Sequence, residues 1–112
     1  MAKLETTLYG SLDQWLDRIE TGILQGSVSA SLEDRSDFRA ADGRTRCSVL
    51  VFERYSMAGS NRVSLSVTLF QDADGVIRCS GISSGGSQAK FFKLNTIGEE
   101  NFLDRLREIV EL

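Results

Sequence analysis

A predicted β-hairpin in the middle of the 112-residue chain constrains its fold more than any other feature. Residues 62–70 alternate between polar and apolar side chains, the pattern of a strand with one buried face. Residues 72–75 (DADG) fit a type I turn that ends in a glycine at the left-handed bulge position. This turn pairs Leu69 with Cys79 and puts the apolar residues of both strands on one face. Turn chemistry and alternation agree, so the sequence predicts an antiparallel sheet with one apolar face.

Three other segments alternate in the same way. They are residues 3–9, 27–33 and 46–55. Residues 34–43 are charged and irregular and end in an Asp-Gly turn signal, so we expect a loop there. Residues 89–94 are a further candidate, which leaves the expected number of strands at five or six.

Two segments are predicted to be amphipathic helices. The first starts at Ser11, which fits a capping box with Gln14, and it stops at Gly26. The last is expected to start at Thr96, with Glu99 as its capping partner. Each helix has one apolar stripe at helical spacing. The stripes are Leu12, Trp15, Leu16, Ile19 and Ile23 in the first helix, and Phe102, Leu103, Leu106, Ile109 and Val110 in the last.

The predicted element order is β-α-β-β-β-β-(β)-α, with the bracketed strand left open. Each helix has one face to bury and the sheet has one apolar face, so both helices are expected on that face. The prediction is a single α+β domain over residues 1–112, a two-layer sandwich with an antiparallel sheet of five or six strands. This order resembles the TATA-binding-protein-like and helix-grip folds, a resemblance of order that implies no function.

Three stretches of the chain carry a closer resemblance. They are GILQGSVSASLEDRSDF (22–38), ERYSMAGSNRVSLSVTL (53–69) and SGGSQAKFFKLNTIGEENFLD (84–104). They are similar to a family of small bacterial proteins of unknown function, chiefly from Gram-positive anaerobes. The resemblance covers most of the chain and implies a bacterial source and a single domain, but no activity, ligand or catalytic residue.

Composition argues against several classes of protein. The chain has no histidine, the commonest general base and metal ligand, and its two cysteines form no CxxC pair. We therefore expect no catalytic residue, cofactor or metal, and an enzyme is not favoured. A net charge of −3 does not favour nucleic-acid binding. The N-terminus has no signal-peptide pattern, and no apolar run approaches the roughly 20 residues of a membrane span, so we expect a cytoplasmic protein without membrane contact.

The sheet face opposite the helices is the candidate functional surface. We assign to it Arg46, Arg62 and Arg78, with Arg54 near a loop end. Guanidinium groups bind planar anions well, so this face predicts a carboxylate or phosphate site that includes Ser66. The hydroxyl residues assigned to the face are Ser27, Ser29, Ser31, Ser48, Ser64, Ser66, Thr68 and Ser80.

The glycine-rich run at residues 83–88 is a second candidate for anion binding. Consecutive backbone N–H groups around Gly85 and Gly86 can form a nest for an anion. The run lacks the lysine of a P-loop, and no helix is predicted to follow at once. The simpler alternatives are a loop between two strands for this run and a solvated surface for the arginine-bearing face.

Leu50, Phe52 and Phe70 are also assigned to the outer face, whereas Cys47 and Cys79 are assigned to the core as structural thiols. Exposed apolar residues beside arginine are typical of an association surface, so we expect a homodimer. The leading hypothesis is a non-catalytic binding or assembly module. The alternative is a helix-grip type of protein that binds a small anionic ligand between the sheet and the C-terminal helix, with weak enzymatic activity.

Overall fold

The computed structural model describes residues 2–56, 61–85 and 92–111 of the protein. In chain order the elements are β1 (Ala2–Leu8), α1 (Leu12–Gln25), β2 (Ser31–Arg39), β3 (Arg46–Ser56), β4 (Asn61–Gln71), β5 (Ile77–Gly85) and α2 (Phe92–Val110). The five strands form one antiparallel sheet in the order β1-β5-β4-β3-β2. Both helices bury their apolar sides against the same face of this sheet. The predicted two-layer α+β sandwich is confirmed.

The hairpin of β4 and β5 has the predicted turn and register. The backbone N–H of Gly75 donates to the carbonyl oxygen of Asp72 at 2.9 Å. Gly75 has a φ of 91°, a left-handed conformation that glycine adopts without strain. Leu69 pairs with Cys79 as expected. Leu69 is fully buried and its neighbour Phe70 is exposed, so the predicted alternation is confirmed as well.

The core lies between the sheet and the two helices. The side chain of Ser11 accepts a hydrogen bond from the backbone N–H of Gln14 at 3.2 Å and caps α1 as predicted. The helix ends before Gly26, also as predicted. The predicted apolar stripes of both helices are buried, except that Trp15 is only partly buried and packs against the edge of the core.

Two glycines allow α2 to lie close to its neighbours. A Cβ added at Gly81 of β5 would collide with Leu106 of α2. A Cβ added at Gly22 of α1 would lie 2.6 Å from Cδ1 of Ile109. A side chain at either position would therefore require Leu106 or Ile109 to move.

The prediction of which β3 residues face the core is wrong. Leu50 and Phe52 are fully buried on the helix-covered face, where they pair with Val67 and Leu65. Cys47, assigned to the core, lies on the other face. Both alternating sets of side chains in β3 are apolar, so alternation alone does not decide which set is buried, whereas the pairing with β4 does.

The charged segment that was expected to be a loop is largely an edge strand. β2 spans Ser31–Arg39, and a register shift between Leu32 and Asp34 marks a β-bulge. Charged residues are common on edge strands, since one side of such a strand faces solvent. The predicted turn at Asp42 and Gly43 is present in the loop that joins β2 to β3, where Gly43 has a φ of 72°.

The last helix is longer than expected. It begins at Phe92 and not at Thr96, so residues 92–94 are helical and do not form a sixth strand. Residues 89–91 and the predicted loop at 57–60 lie outside the described part of the chain. A short apolar run such as residues 89–94 does not by itself distinguish a strand from the first turn of a helix.

Candidate functional site: the open face of the sheet

The sheet face opposite the helices, here called the open face, is covered by neither described helix. Strand pairing places its side chains in rows across the sheet, because paired residues in neighbouring strands share a face. From β2 to β1, the first row is Phe38, Cys47, Phe70, Arg78 and Thr7; the second is Ser36, Val49, Thr68, Ser80 and Glu5; the third is Asp34, Val51, Ser66, Ile82 and Lys3. A fourth row contains Glu53, Ser64 and Ser84.

Apolar side chains run along β3 on the open face. Cys47, Val49 and Val51 are half-buried by their neighbours. Phe38 and Phe70 lie on either side of Cys47 and are 65% and 36% exposed. These five residues, here called the apolar stripe, form a contiguous area that the described helices leave uncovered. Of the three predicted interface residues, only Phe70 belongs to it.

Small hydroxyl side chains occupy the middle of the open face. Ser66, Thr68 and Ser80 lie there as predicted and are half-buried. The hydroxyl oxygens of Ser64 and Ser84 are 2.9 Å apart and share a hydrogen bond between β4 and β5. These short side chains project little from the backbone, so the centre of the face can be approached closely by another surface.

Two of the arginines assigned to the outer face point towards the helices. Arg46 donates from Nη2 to Oδ1 of Asp13 in α1 at 2.8 Å. The guanidinium of Arg54 lies 4.4 Å from the ring centroid of Phe102 in α2, and burial lowers the pKa of Arg54 from its usual value. Both residues share the parity of the buried β3 side chains, so the predicted cluster of arginines on one surface is wrong.

Arg62 and Arg78 do lie on the open face, but at opposite ends of it. Nη1 of Arg62 is 3.1 Å from Oε1 of Glu53, a charge contact without hydrogen-bond geometry, and its guanidinium is 5.6 Å from the ring centroid of Tyr55. Arg78 pairs with Phe70, eight residues along β4 from Arg62. Eight residues of a strand span about 27 Å. One small anion therefore cannot contact both arginines.

Arg78 borders a shallow depression of about 410 Å³. Thr7, Thr68, Phe70 and Glu5 also line it. Within the described ranges, Arg78 forms no ion pair with a carboxylate. A guanidinium beside hydroxyls can bind a phosphate or a carboxylate, although the charge of Glu5 opposes an anion. Of the residues assigned to the anion site from the sequence, Arg78 is the one that lines this depression.

The glycine-rich run forms the end of a strand where it is described. Residues 83–85 pair with β4, and Gly85 lies opposite Val63. This extended backbone lacks the alternating conformation of an anion-binding nest, so the nest prediction is wrong for this half of the run. Gly86 and the residues after it lie outside the described part of the chain.

Both cysteines are free, and they lie on opposite faces of the sheet. Burial raises the pKa of the Cys79 thiol to about 11, so the thiol is protonated at neutral pH. Cys47 lies in the apolar stripe. Across the described ranges, no group of three or more histidine, cysteine, aspartate or glutamate residues is arranged to hold a metal ion.

A polar network on the helix side joins α1 to the β2–β3 hairpin. Oδ1 of Asp37 accepts from the Ser48 hydroxyl at 2.6 Å, and Oδ2 accepts from Nε of Arg35 at 3.0 Å. Arg35 also lies 3.4 Å from Glu20 of α1. The bonds from Arg35 and then Ser48 lower the pKa of Asp37. Ser48 is therefore not on the open face, contrary to its assignment from the sequence.

Charge is divided between the two halves of the open face. On one side lie Lys3, Glu5 and Arg78 of β1 and β5, and on the other lie Asp34 and Glu53 of β2 and β3. Arg62 lies between the two halves on the central strand β4, 3.1 Å from Glu53. Two bases and one acid make the first half positive, and two acids make the second half negative. The open face is therefore positive along β1 and β5 and negative along β2 and β3.

Fold and site together define a small α+β sandwich whose antiparallel sheet has one face covered by helices and one face open. The sequence model of a family of unknown function (DUF6054) matches residues 1–112, and the chain belongs to this family. No curated protein and no solved structure matches the chain. Among the described residues, neither helix is long and apolar enough to cross a membrane.

Proposed function

We propose that the chain is a non-catalytic assembly module that binds a second copy of itself through the open face. The observation that carries this proposal is the apolar stripe, a contiguous apolar area without a cover from the described helices. Monomeric proteins seldom leave such areas exposed to water. Contact with another protein surface would remove this area from solvent.

The size of the open face suits a stable dimer. Five strands about 4.8 Å apart and four rows about 6.8 Å apart give an area of about 650 Å². Covering this area on two copies removes about 1,300 Å² from water, which lies in the range of specific interfaces. The opposite charges of its two halves also make the open face complementary to itself, which favours a second copy over an unrelated partner.

The oligomeric state of the chain tests the proposal. In sedimentation equilibrium, the mass is expected to rise with concentration from the 12.4 kDa of one chain towards twice that value. Ile82→Glu puts a charge at a 38% exposed position of the open face and should weaken the dimer. Val28→Glu is the matched control, because Val28 is fully exposed in the turn before β2. A monomer mass for the unmodified chain at all concentrations would remove the proposal.

A second candidate function is the binding of a small anionic ligand at Arg78. Its support is the depression lined by Arg78, Thr7, Thr68 and Phe70. Inorganic phosphate, a nucleotide and a dicarboxylate can be compared in a thermal-shift experiment. A ligand at 100 times its dissociation constant adds about 2.7 kcal/mol, which corresponds to a shift of several degrees. Arg78→Ala should abolish the shift and Arg62→Ala should not; no shift with any of these ligands would contradict this function.

We also propose that the module works in the cytoplasm. Support comes from its two free thiols, since cysteines of secreted domains of this size are usually paired in disulfides. Fractionation of cells that produce the chain tests this location, with a secreted or membrane fraction as the contrary result.

A further inference from the structure

We propose that the two copies are related by a two-fold axis that runs parallel to β4 in the plane between the two sheets. This arrangement rests on the dimer proposed above and specifies how the second copy is oriented. With such an axis, β4 of one copy faces β4 of the other. β5 then faces β3 of the other copy, and β1 faces β2 of the other copy.

The division of charge on the open face selects this axis. The positive side of one copy lies over the negative side of the other only if the rotation exchanges the two edges of the sheet. A two-fold axis perpendicular to the strands keeps each strand above itself. In that case the half that carries Lys3 would lie over the same half of the second copy, and the half that carries Asp34 would lie over its own counterpart, so like charges would meet on both sides.

The third row shows the contacts that this axis creates. From β2 to β1, the row is Asp34, Val51, Ser66, Ile82 and Lys3. The axis passes through the central serine, whose small side chain lets the two sheets approach. Val51 then lies over Ile82 of the second copy, and Asp34 lies over Lys3 of the second copy. Each contact occurs twice, as in any two-fold interface.

The ends of this row can reach across the interface. Sheets that pack face to face lie about 10 Å apart, a gap that a lysine and an aspartate span together. Lys3 and Asp34 are both exposed in the single chain. In the single chain, Nζ of Lys3 lies 2.7 Å from Oε1 of Glu5 on the same strand. In the dimer, Lys3 would contact Asp34 of the second copy in place of Glu5 or together with it.

A charge-swap experiment tests the arrangement. Lys3→Asp and Asp34→Lys should each weaken the dimer about fivefold to tenfold, because each replaces two attractive pairs with two repulsive ones. The double variant restores both pairs with reversed sign and should return the dimer dissociation constant to within about twofold of the original. Circular dichroism and thermal melting of each variant report whether the fold is intact.

Two controls separate this inference from simpler effects. Glu5→Gln removes the ion pair between Lys3 and Glu5 within one chain. It should change the dimer dissociation constant by no more than about twofold. If the chain dimerises but the effects of the two single charge changes add in the double variant, the orientation is wrong and the proposed function stands. If the unmodified chain is monomeric at all concentrations, both are wrong.

Discussion

Arg46 and Asp13 join the two layers of the sandwich at one end of the sheet, with Nη2 of the arginine 2.8 Å from Oδ1 of the aspartate. The hydrogen bond and the charge of Arg46 lower the pKa of Asp13. The pKa of Asp37, in the neighbouring network, is lowered by Arg35 and Ser48. The interface between α1 and the β2–β3 hairpin is thus held by carboxylates in their charged form.

Stability should therefore fall in acid. The pKa of Asp13 and of Asp37 is lower in the folded chain than the usual value of about 3.9 in an unfolded one. Their contribution is present above that value and is lost as the pH falls through the folded pKa. Urea unfolding from pH 6 to pH 2 should show a decreasing free energy of unfolding, with a smaller decrease in Asp37→Asn. An unchanged free energy across this range would contradict the assignment.

Two phenylalanines on opposite faces of the sheet should respond differently to truncation. Phe52 is fully buried, so Phe52→Ala should lower the free energy of unfolding by about 3–5 kcal/mol. Phe70 is 36% exposed on the open face, so Phe70→Ala should cost about 1 kcal/mol or less in the monomer. Urea titration at a low protein concentration measures both. Equal losses in the free energy of unfolding would contradict the burial of Phe52 and the exposure of Phe70.

Gly81 should not tolerate a side chain. Its Cβ would collide with Leu106, so Gly81→Ala should destabilise the fold by about 1–3 kcal/mol through overpacking of α2. Ser80→Ala, one position away on the open face, is the control and should change stability by less than about 0.5 kcal/mol. A neutral Gly81→Ala would show that Leu106 makes room for the added methyl group at no cost and would contradict the prediction.

The two thiols should differ in reactivity and never pair. Cys47 and Cys79 lie on β3 and β5, on either side of β4, which puts their Cα atoms about 9.6 Å apart and beyond the ~7 Å limit for a disulfide. A thiol reagent should modify Cys47 quickly in dilute native protein and Cys79 only slowly, because Cys79 is buried and its pKa is about 11. Cys47→Ser should remove the fast phase. Denatured protein that was never reduced should show both thiols, and their absence would contradict the strand order.

The parts of the fold that could be predicted from the sequence are those where two local signals agree. The β4–β5 register is one, because a glycine with positive φ and strict alternation both require the pairing of Leu69 with Cys79. The face of β3 could not be predicted in this way, since Leu50 and Val49 are equally apolar and only the long-range pairing with β4 distinguishes them. The wrong face for β3 removes Arg46 from the predicted arginine cluster, and the distance along β4 separates Arg62 from Arg78.

The same limit applies to β2. The charged residues of β2 predict a loop, because a segment of acidic and basic residues has no apolar face to bury. In the structure, however, Asp37 bonds to Ser48 of β3 and Arg35 contacts Glu20 of α1. These partners are far away in sequence, so a local pattern does not reveal them. The hydroxyl-rich centre of the open face, by contrast, was predicted correctly at Ser66 and Thr68, because β4 alternates without ambiguity.

The bulge between Leu32 and Asp34 has a consequence for how large an assembly can become. An unpaired strand edge invites another chain to extend the sheet, and repeated extension produces fibres. In β2 the bulge interrupts the row of free backbone groups, and charged residues such as Glu33 make the edge costly to dehydrate. Growth by adding strands at this edge is therefore disfavoured. An irregularity at one position of β2 thus opposes the fibre-forming contact that a regular edge strand would offer.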